Sequence, residues 1–194
     1  MAEVKEPEVN AEILDALFEG LKSSSRKDRQ VAAAHIAKAS ANNPEALVPY
    51  VNILVACLDK PEAQTRWECL DMLTKVVDVE SRLCDKAIPG AENALFDEVN
   101  GLLHLSAMKF LCKLGSTTQN RSQKVWPLID EGIQCYHGDN EFQDMLTALI
   151  DFSAGDLAPE VKKELADRMA FDAANGKGQL KKRASMILEN VKQK

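Results

Sequence analysis

Aromatic side chains make up only 5% of the 194 residues, with two Trp, two Tyr and six Phe. A β-sandwich of this size draws on Val, Thr, Tyr and Phe for its pleated faces, whereas a chain rich in Ala, Leu, Lys and Glu favours helices. The five cysteines are Cys57, Cys69, Cys84, Cys112 and Cys135. An odd number with no CxxC spacing excludes a disulfide framework and a zinc site. Cys57 and Cys69 fall on apolar helix faces and read as small buried hydrophobes. A reducing, cytoplasmic setting is expected. No apolar run approaches the roughly 20 residues of a membrane span. The first eight residues are acidic and polar, without a basic or apolar segment, so no secretory signal is expected. Positive charge is also short: the net charge is −6 and the pI about 5.2. That balance argues against a general nucleic-acid binder and against an anionic membrane surface.

Catalytic signatures are missing as well. There is no Gly-rich phosphate loop, GxSxG or HExxH. The three histidines, His35, His104 and His137, are far apart in sequence. No carboxylate forms a pair with a nucleophile. Trp67 and Trp126 read as packing residues rather than ligand platforms. No catalytic residue, metal or cofactor is expected.

What is present is a recurring stripe. Cys69, Met72, Leu73 and Val76 sit at i, i+3, i+4 and i+7, one face of a helix. The same face returns at Ala33/Ile36/Ala37/Ser40, Ala107/Phe110/Leu111/Leu114, Met145/Ala148/Leu149/Phe152 and Ala184/Ile187/Leu188/Val191, at steps of 36 to 39 residues. An amphipathic helix at near-constant period is the mark of a helical solenoid. Punctuation by Ser, Asn, Pro and Gly places helices at 11–22, 26–41, 44–58, 61–77, 80–99, 102–114, 121–136, 141–153, 159–174 and 179–191. In 11–22 the residues Ile13, Leu14, Leu17, Phe18 and Leu21 point inward. In 80–99 a kink is expected at Pro89-Gly90, and 100–101 is a turn. The expected organisation is a flexible tail, 1–10, and a single domain, 11–194. Its five hairpins cover roughly 11–42, 44–78, 80–116, 121–154 and 157–192.

The second hairpin carries a recognisable pattern. Leu54, Leu58 and Asp59 precede Thr65-Arg66, then Cys69, Leu73 and Val76. This resembles the HEAT repeat, within the wider HEAT/armadillo type. The resemblance implies an all-α, right-handed α-solenoid of about five HEAT-like hairpins. The third hairpin keeps an acid as Asp97 but has His104 at the arginine position. The first, fourth and fifth have Gln30, Phe142 and Lys181 there, so the match does not extend to an Asp/Arg ladder through the whole stack.

Such stacks present an extended surface lined by the second helix of each pair. Positions −1, +2 and +6 from the first residue of each stripe point away from the core at 100° per residue. They give His35; Glu68, Asp71 and Lys75; Ser106, Lys109 and Lys113; Asp144, Thr147 and Asp151; and Arg183. The expected function is a non-enzymatic scaffold binding a protein or peptide through this ribbon, with Lys109 and Asp144 as anchors. The alternative the resemblance allows is a HEAT-like DNA-alkylation-repair glycosylase or another nucleic-acid-binding repeat protein, which would need a continuous positive groove. Residues 61–156 hold 8 basic and 16 acidic side chains, while 157–194 hold 9 basic and 5 acidic. The basic end, marked by Lys177, Lys181, Lys182 and Arg183, is a candidate self-association contact with the acidic middle.

Overall fold

The computed structural model describes residues 11–98 and 101–192. The expected tail at 1–10 and residue 100 of the expected turn lie outside them. Among the described residues there are ten α-helices and two 3₁₀ segments, and no strand. The helices are α1 (Ala11–Leu21), α2 (Arg26–Ala39), α3 (Val51–Cys57), α4 (Ala63–Cys84), α5 (Ile88–Leu95), α6 (Gly101–Gly115), α7 (Gln119–Tyr136), α8 (Phe142–Ser153), α9 (Pro159–Asn175) and α10 (Gly178–Lys192). They pair as five hairpins in two rows. The second helices α2, α4, α6, α8 and α10 pack side by side in that order, and the first helices α1, α3, α5, α7 and α9 form the other row.

Local chemistry explains most boundaries. The Ser25 hydroxyl caps α2 by accepting from the Asp28 N–H, and Thr118 does the same for α7 toward Arg121. Two expected helices are changed where the i→i−4 ladder is interrupted. The stretch expected as one helix over 44–58 is a 3₁₀ segment, Pro44–Tyr50, followed by α3. Pro49 lies inside it, with no N–H to donate and a ring that crowds the carbonyl one turn back, so the α-helix begins only at Val51. The break expected at Pro89-Gly90 falls earlier. α4 runs on past Val77 and is interrupted at Glu80, whose φ −148° and ψ 73° are not helical. A 3₁₀ turn, Asp85–Ala87, follows, and Pro89 sits in the first turn of α5, where its missing N–H costs nothing. Pro127, by contrast, is carried inside α7.

The periodic stripe is the core. All four positions are buried in α4 and in α6, including Leu111 at 0% exposure. In the flanking helices Ala37, Ala148, Leu188 and Val191 are half-buried while their partners are buried. Ile13, expected inward, is 56% exposed on α1. The first hairpin has no preceding repeat among the described residues to cover that side. Small residues set the closest approaches. A Cβ on Gly20 would lie 2.9 Å from the Ala32 Cβ, so α1 and the Ala-rich α2 meet almost backbone to backbone. At Gly132 a Cβ would collide with the Met108 side chain of α6.

Polar contacts across the stack repeat with the same period as the helices. Arg29 of α2 forks onto Glu62, with Nε–Oε1 at 2.5 Å and Nη2–Oε2 at 2.7 Å, and both side chains are buried. Arg29 Nη1 also donates to the Ser23 and Ser24 carbonyls, and Thr65 Oγ1 donates to Glu62. One repeat on, Arg66 of α4 reaches Asp97 at 2.7 Å. In the row of first helices the rungs are Arg121–Asp85, Trp126–Glu164, Arg168–Asp130 and His137–Asp172. An Asp/Arg ladder of fixed register is thus absent among the described residues, as the departures at Gln30, His104, Phe142 and Lys181 imply, but most repeats are still pinned to the next by a polar rung.

Two outcomes follow. Leu111→Ala empties a fully buried site at the centre of the stack and is expected to cost about 2–5 kcal/mol, read as a lower urea midpoint; an unchanged midpoint would show that the α6 face is assigned wrongly. The second concerns Glu62. The hydrogen bond from Arg29 is the main cause holding its carboxyl below the ordinary range, against the opposing effect of burial. A depressed folded value stabilises above the unfolded value of about 4.3 and is lost as pH falls through the folded one. Wild-type protein should therefore lose stability as pH falls below about 4.3. Glu62→Gln should begin less stable at neutral pH and show a flatter acid limb. Parallel midpoint-against-pH curves for the two proteins would contradict this.

Candidate binding groove

The residues of the expected ribbon separate into three groups. Glu68, Asp71 and Lys75 lie half-buried on α4. Burial pushes the Glu68 carboxyl up, and the Asp71 charge adds to it. Burial also pushes the Asp71 carboxyl up, with a hydrogen bond from Ser106 and the charges of Lys109 and Lys75 drawing it back. Ser106, expected on the surface, is only 6% exposed: it lies between α6 and α4, close enough to serve Asp71. This group is a packed seam between two helices more than an open surface.

The second group is brought together. Lys109, Lys113, Asp144, Thr147 and Asp151 line one cleft of about 430 Å³ between α6 and α8, with Thr74 of α4 at one edge and Cys112 and Ala148 also on its wall. α6 lines the cleft over residues 109–113 and α8 over residues 144–151. Lys109, Asp144, Thr147 and Asp151 are exposed and Lys113 is half-buried. Lys113 is already engaged, its Nζ 2.5 Å from Asp78 of α4. Asp144 and Asp151 take part in no ion pair among the described residues. The Thr147 hydroxyl donates to the Gln143 carbonyl of its own helix.

The third group lies at the ends. His35 is exposed on α2, away from the cleft. Arg183 bridges α10 to α8, donating to the carbonyl and the side-chain oxygen of Gln143 at 2.7 and 2.8 Å. Within the basic end, Lys181 donates to the Ala174 carbonyl at the end of α9. Two of the four cations of that run are therefore used inside the last hairpin and its junction.

The remaining candidates are structural. His104 bonds the Asp97 carbonyl at 2.6 Å and stacks on Tyr136, whose hydroxyl donates to the Leu95 carbonyl. Burial pushes that phenol up to about 12. His137 pairs with buried Asp172 and touches Phe142. Trp67 is half-buried against the core, and Trp126 is buried and stacks on Phe152. Four thiols are buried and Cys135 is exposed. Burial raises Cys84 to about 11 and pushes Cys112 up further. No three His, Cys, Asp or Glu side chains among the described residues form a metal-binding group. No helix among them is long and apolar enough to cross a membrane.

A larger recess, about 550 Å³, opens at the start of α7 beside the Glu80 break, between Arg82, Asp85, Arg121 and Lys124. Its central cation is committed to structure: Arg121 forks onto Asp85 and donates to Ser81 and Thr117. Sequence reasoning did not find this rung or its fellows. Their signal was a charge partner about one repeat away: 36 residues for Arg121 and Asp85, 33 for Arg29 and Glu62.

No protein-family model matches the chain, and neither does any curated protein sequence. Solved structures do match. A designed armadillo repeat protein, YIII(Dq.V1)4CPAF, in complex with the peptide (KR)4, superposes with a TM-score of 0.77 at 16% identity, covering 93% of this chain and 82% of that one. A computationally designed armadillo repeat protein for modular peptide recognition gives 0.73 at 17% identity, over 92% and 82%. The complex of CpcE and CpcF of phycocyanin lyase from Nostoc sp. PCC7120 gives 0.62 at 17% identity, over 100% of this chain and 69% of that one. At these identities the likeness is one of fold, and with the paired rows of helices it shows that the chain is a repeat α-solenoid of the armadillo/HEAT type.

Proposed function

We propose that this chain is a non-enzymatic repeat scaffold that holds an extended, mixed-charge peptide or protein segment along its second helices, with Lys109 and Asp144 as anchors. The observation that carries this reading is the cleft between α6 and α8. Five side chains from two helices, Lys109 and Lys113 of α6 facing Asp144, Thr147 and Asp151 of α8, converge on it without serving as core. Two of the neighbouring folds, described respectively as bound to (KR)4 and as designed for modular peptide recognition, support a peptide as the occupant. The mixture of carboxylates and ammoniums along α4, α6 and α8, at Glu68, Asp71, Lys75, Lys109, Lys113, Asp144 and Asp151, favours protein over nucleic acid. Phosphate backbones demand a run of cations, and carboxylates interspersed among them repel.

The test is the charge-reversed variant Lys109→Glu/Asp144→Lys beside wild-type protein, each used to capture partners from the native cell at low and at high salt. The partner should be retained by wild type, released as salt rises, and bound at least about tenfold more weakly by the variant. A folded variant that retains the same partner with the same affinity would overturn the groove reading, and the free cations Lys177 and Lys182 would then be the place to look.

A further inference from the structure

The charges left over in the cleft specify the occupant further, an inference that rests on the peptide reading above. Lys113 is neutralised by Asp78. Asp71 is served by Ser106 and faces Lys75 and Lys109. The charges of the cleft that make no ion pair among the described residues are two carboxylates on one wall, Asp144 and Asp151 of α8, and one ammonium on the other, Lys109 of α6, which has Asp71 within electrostatic reach. Asp144 and Asp151 are seven residues apart on one face, so they are separated by about 10.5 Å along the helix axis. Lys109 lies across the same cleft from both of them.

An extended segment lying along the row of second helices crosses α8 at nearly a right angle. Successive side chains of an extended chain point to opposite sides. One then points toward the N-terminal end of α8, to Asp144, and the next toward the C-terminal end, to Asp151. A single basic residue cannot satisfy both carboxylates at that separation, but two consecutive ones can. The axis of α6 is about 8–10 Å further on. At about 3.3 Å per residue, that is two and a half to three residues from the middle of the basic pair. The residue facing Lys109 is then the second after the pair.

We propose that the cleft recognises a linear segment of pattern basic–basic–any–acidic, the basic pair straddling α8 between Asp144 and Asp151 and the acid meeting Lys109. A purely basic segment leaves Lys109 opposed by like charge, and a purely acidic one meets two carboxylates. The pattern is chemical and applies in either chain direction along the row.

The probe is a fluorescein-labelled nonapeptide with the core Arg-Lys-Ser-Glu in a Gly/Ser frame, together with its reversed core Glu-Ser-Lys-Arg. The controls are the sign-inverted core Glu-Asp-Ser-Lys and the same-composition core Arg-Glu-Lys-Ser, all titrated with full-length protein by fluorescence anisotropy at low ionic strength. The tighter of the two pattern peptides should bind at least about tenfold more tightly than either control. Asp151→Asn and Lys109→Ala, which keep the helix and remove one charge each, should weaken it; Lys177→Ala, outside the cleft, should not. If the sign-inverted or shuffled core binds as well, yet Lys109→Ala still weakens it, the pattern is wrong while the groove reading stands. Binding indifferent to all three substitutions, or no binding by any probe, would overturn both.

Discussion

A two-helix hairpin of some 36 residues cannot bury its own apolar stripe. Each second helix here has core on more than one side, and its far flank must be covered by the next hairpin. That dependence organises the molecule. α6, the middle helix, has ten buried residues in fifteen positions, whereas α10, at the end of the row, buries only Ala184 and Ile187. Burial of apolar surface supplies the cohesion but is not directional, so it does not by itself set how one hairpin is rotated against its neighbour. The rungs supply direction. Arg29 on Glu62 is the most enclosed: a forked, charge-assisted contact whose partners are also held by two loop carbonyls and the Thr65 hydroxyl. Breaking it strands a charge in the interior, which makes one register far more favourable than its alternatives.

The architecture was legible because hydrophobic period is a property of many residues at once. Four positions in each of five helices agree, and a local misfit such as Ile13 does not disturb the sum. The irregularities were less legible because each depends on a single backbone. Pro49 is a proline on an otherwise apolar helical pattern, and the pattern outweighed it. Glu80 carries no breaker at all, and nothing in its residue type announces the bend that precedes the 3₁₀ turn at Asp85–Ala87. The rungs were missed for a related reason. Their residues differ from repeat to repeat, Arg–Glu, Arg–Asp, Trp–Glu, His–Asp, so a fixed consensus does not detect them, although their spacing is that of the repeat.

The ribbon was partly legible. Helical phase placed Lys109, Lys113, Asp144, Thr147 and Asp151 on one side, and the fold brings them to one cleft. Phase does not tell how deep a neighbouring helix reaches. Ser106 has the same nominal orientation as Lys109 but is covered by α4, and Arg183 is drawn sideways onto Gln143. What distinguishes a site residue from a seam residue is therefore whether the next helix already supplies its partner. By that measure Asp71, Ser106, Lys113 and Arg183 are spoken for, Asp144 and Asp151 are not, and Lys109 makes no ion pair among the described residues although Asp71 is within electrostatic reach.

That distinction bears on the charges that α6 and α8 leave without an ion pair across their cleft. Exposed ion pairs contribute little to stability, a few tenths to about 1 kcal/mol each, so a solenoid loses little by leaving them unmade. On the binding reading proposed above, the gain would be selectivity. A cleft whose charges were already paired would bind any extended chain through the same weak contacts, whereas uncommitted charges of both signs penalise every occupant whose charges fall in the wrong order. The platform must be stiff for such a penalty to be felt, because side chains that can drift apart adapt to any sequence. Lys109 stands on α6, flanked in sequence by buried Met108 and Phe110, and Asp144 stands beside buried Met145 on α8. On the binding reading proposed above, the packed backbone on which they stand would hold Lys109 and Asp144 in place, as discrimination by sequence requires.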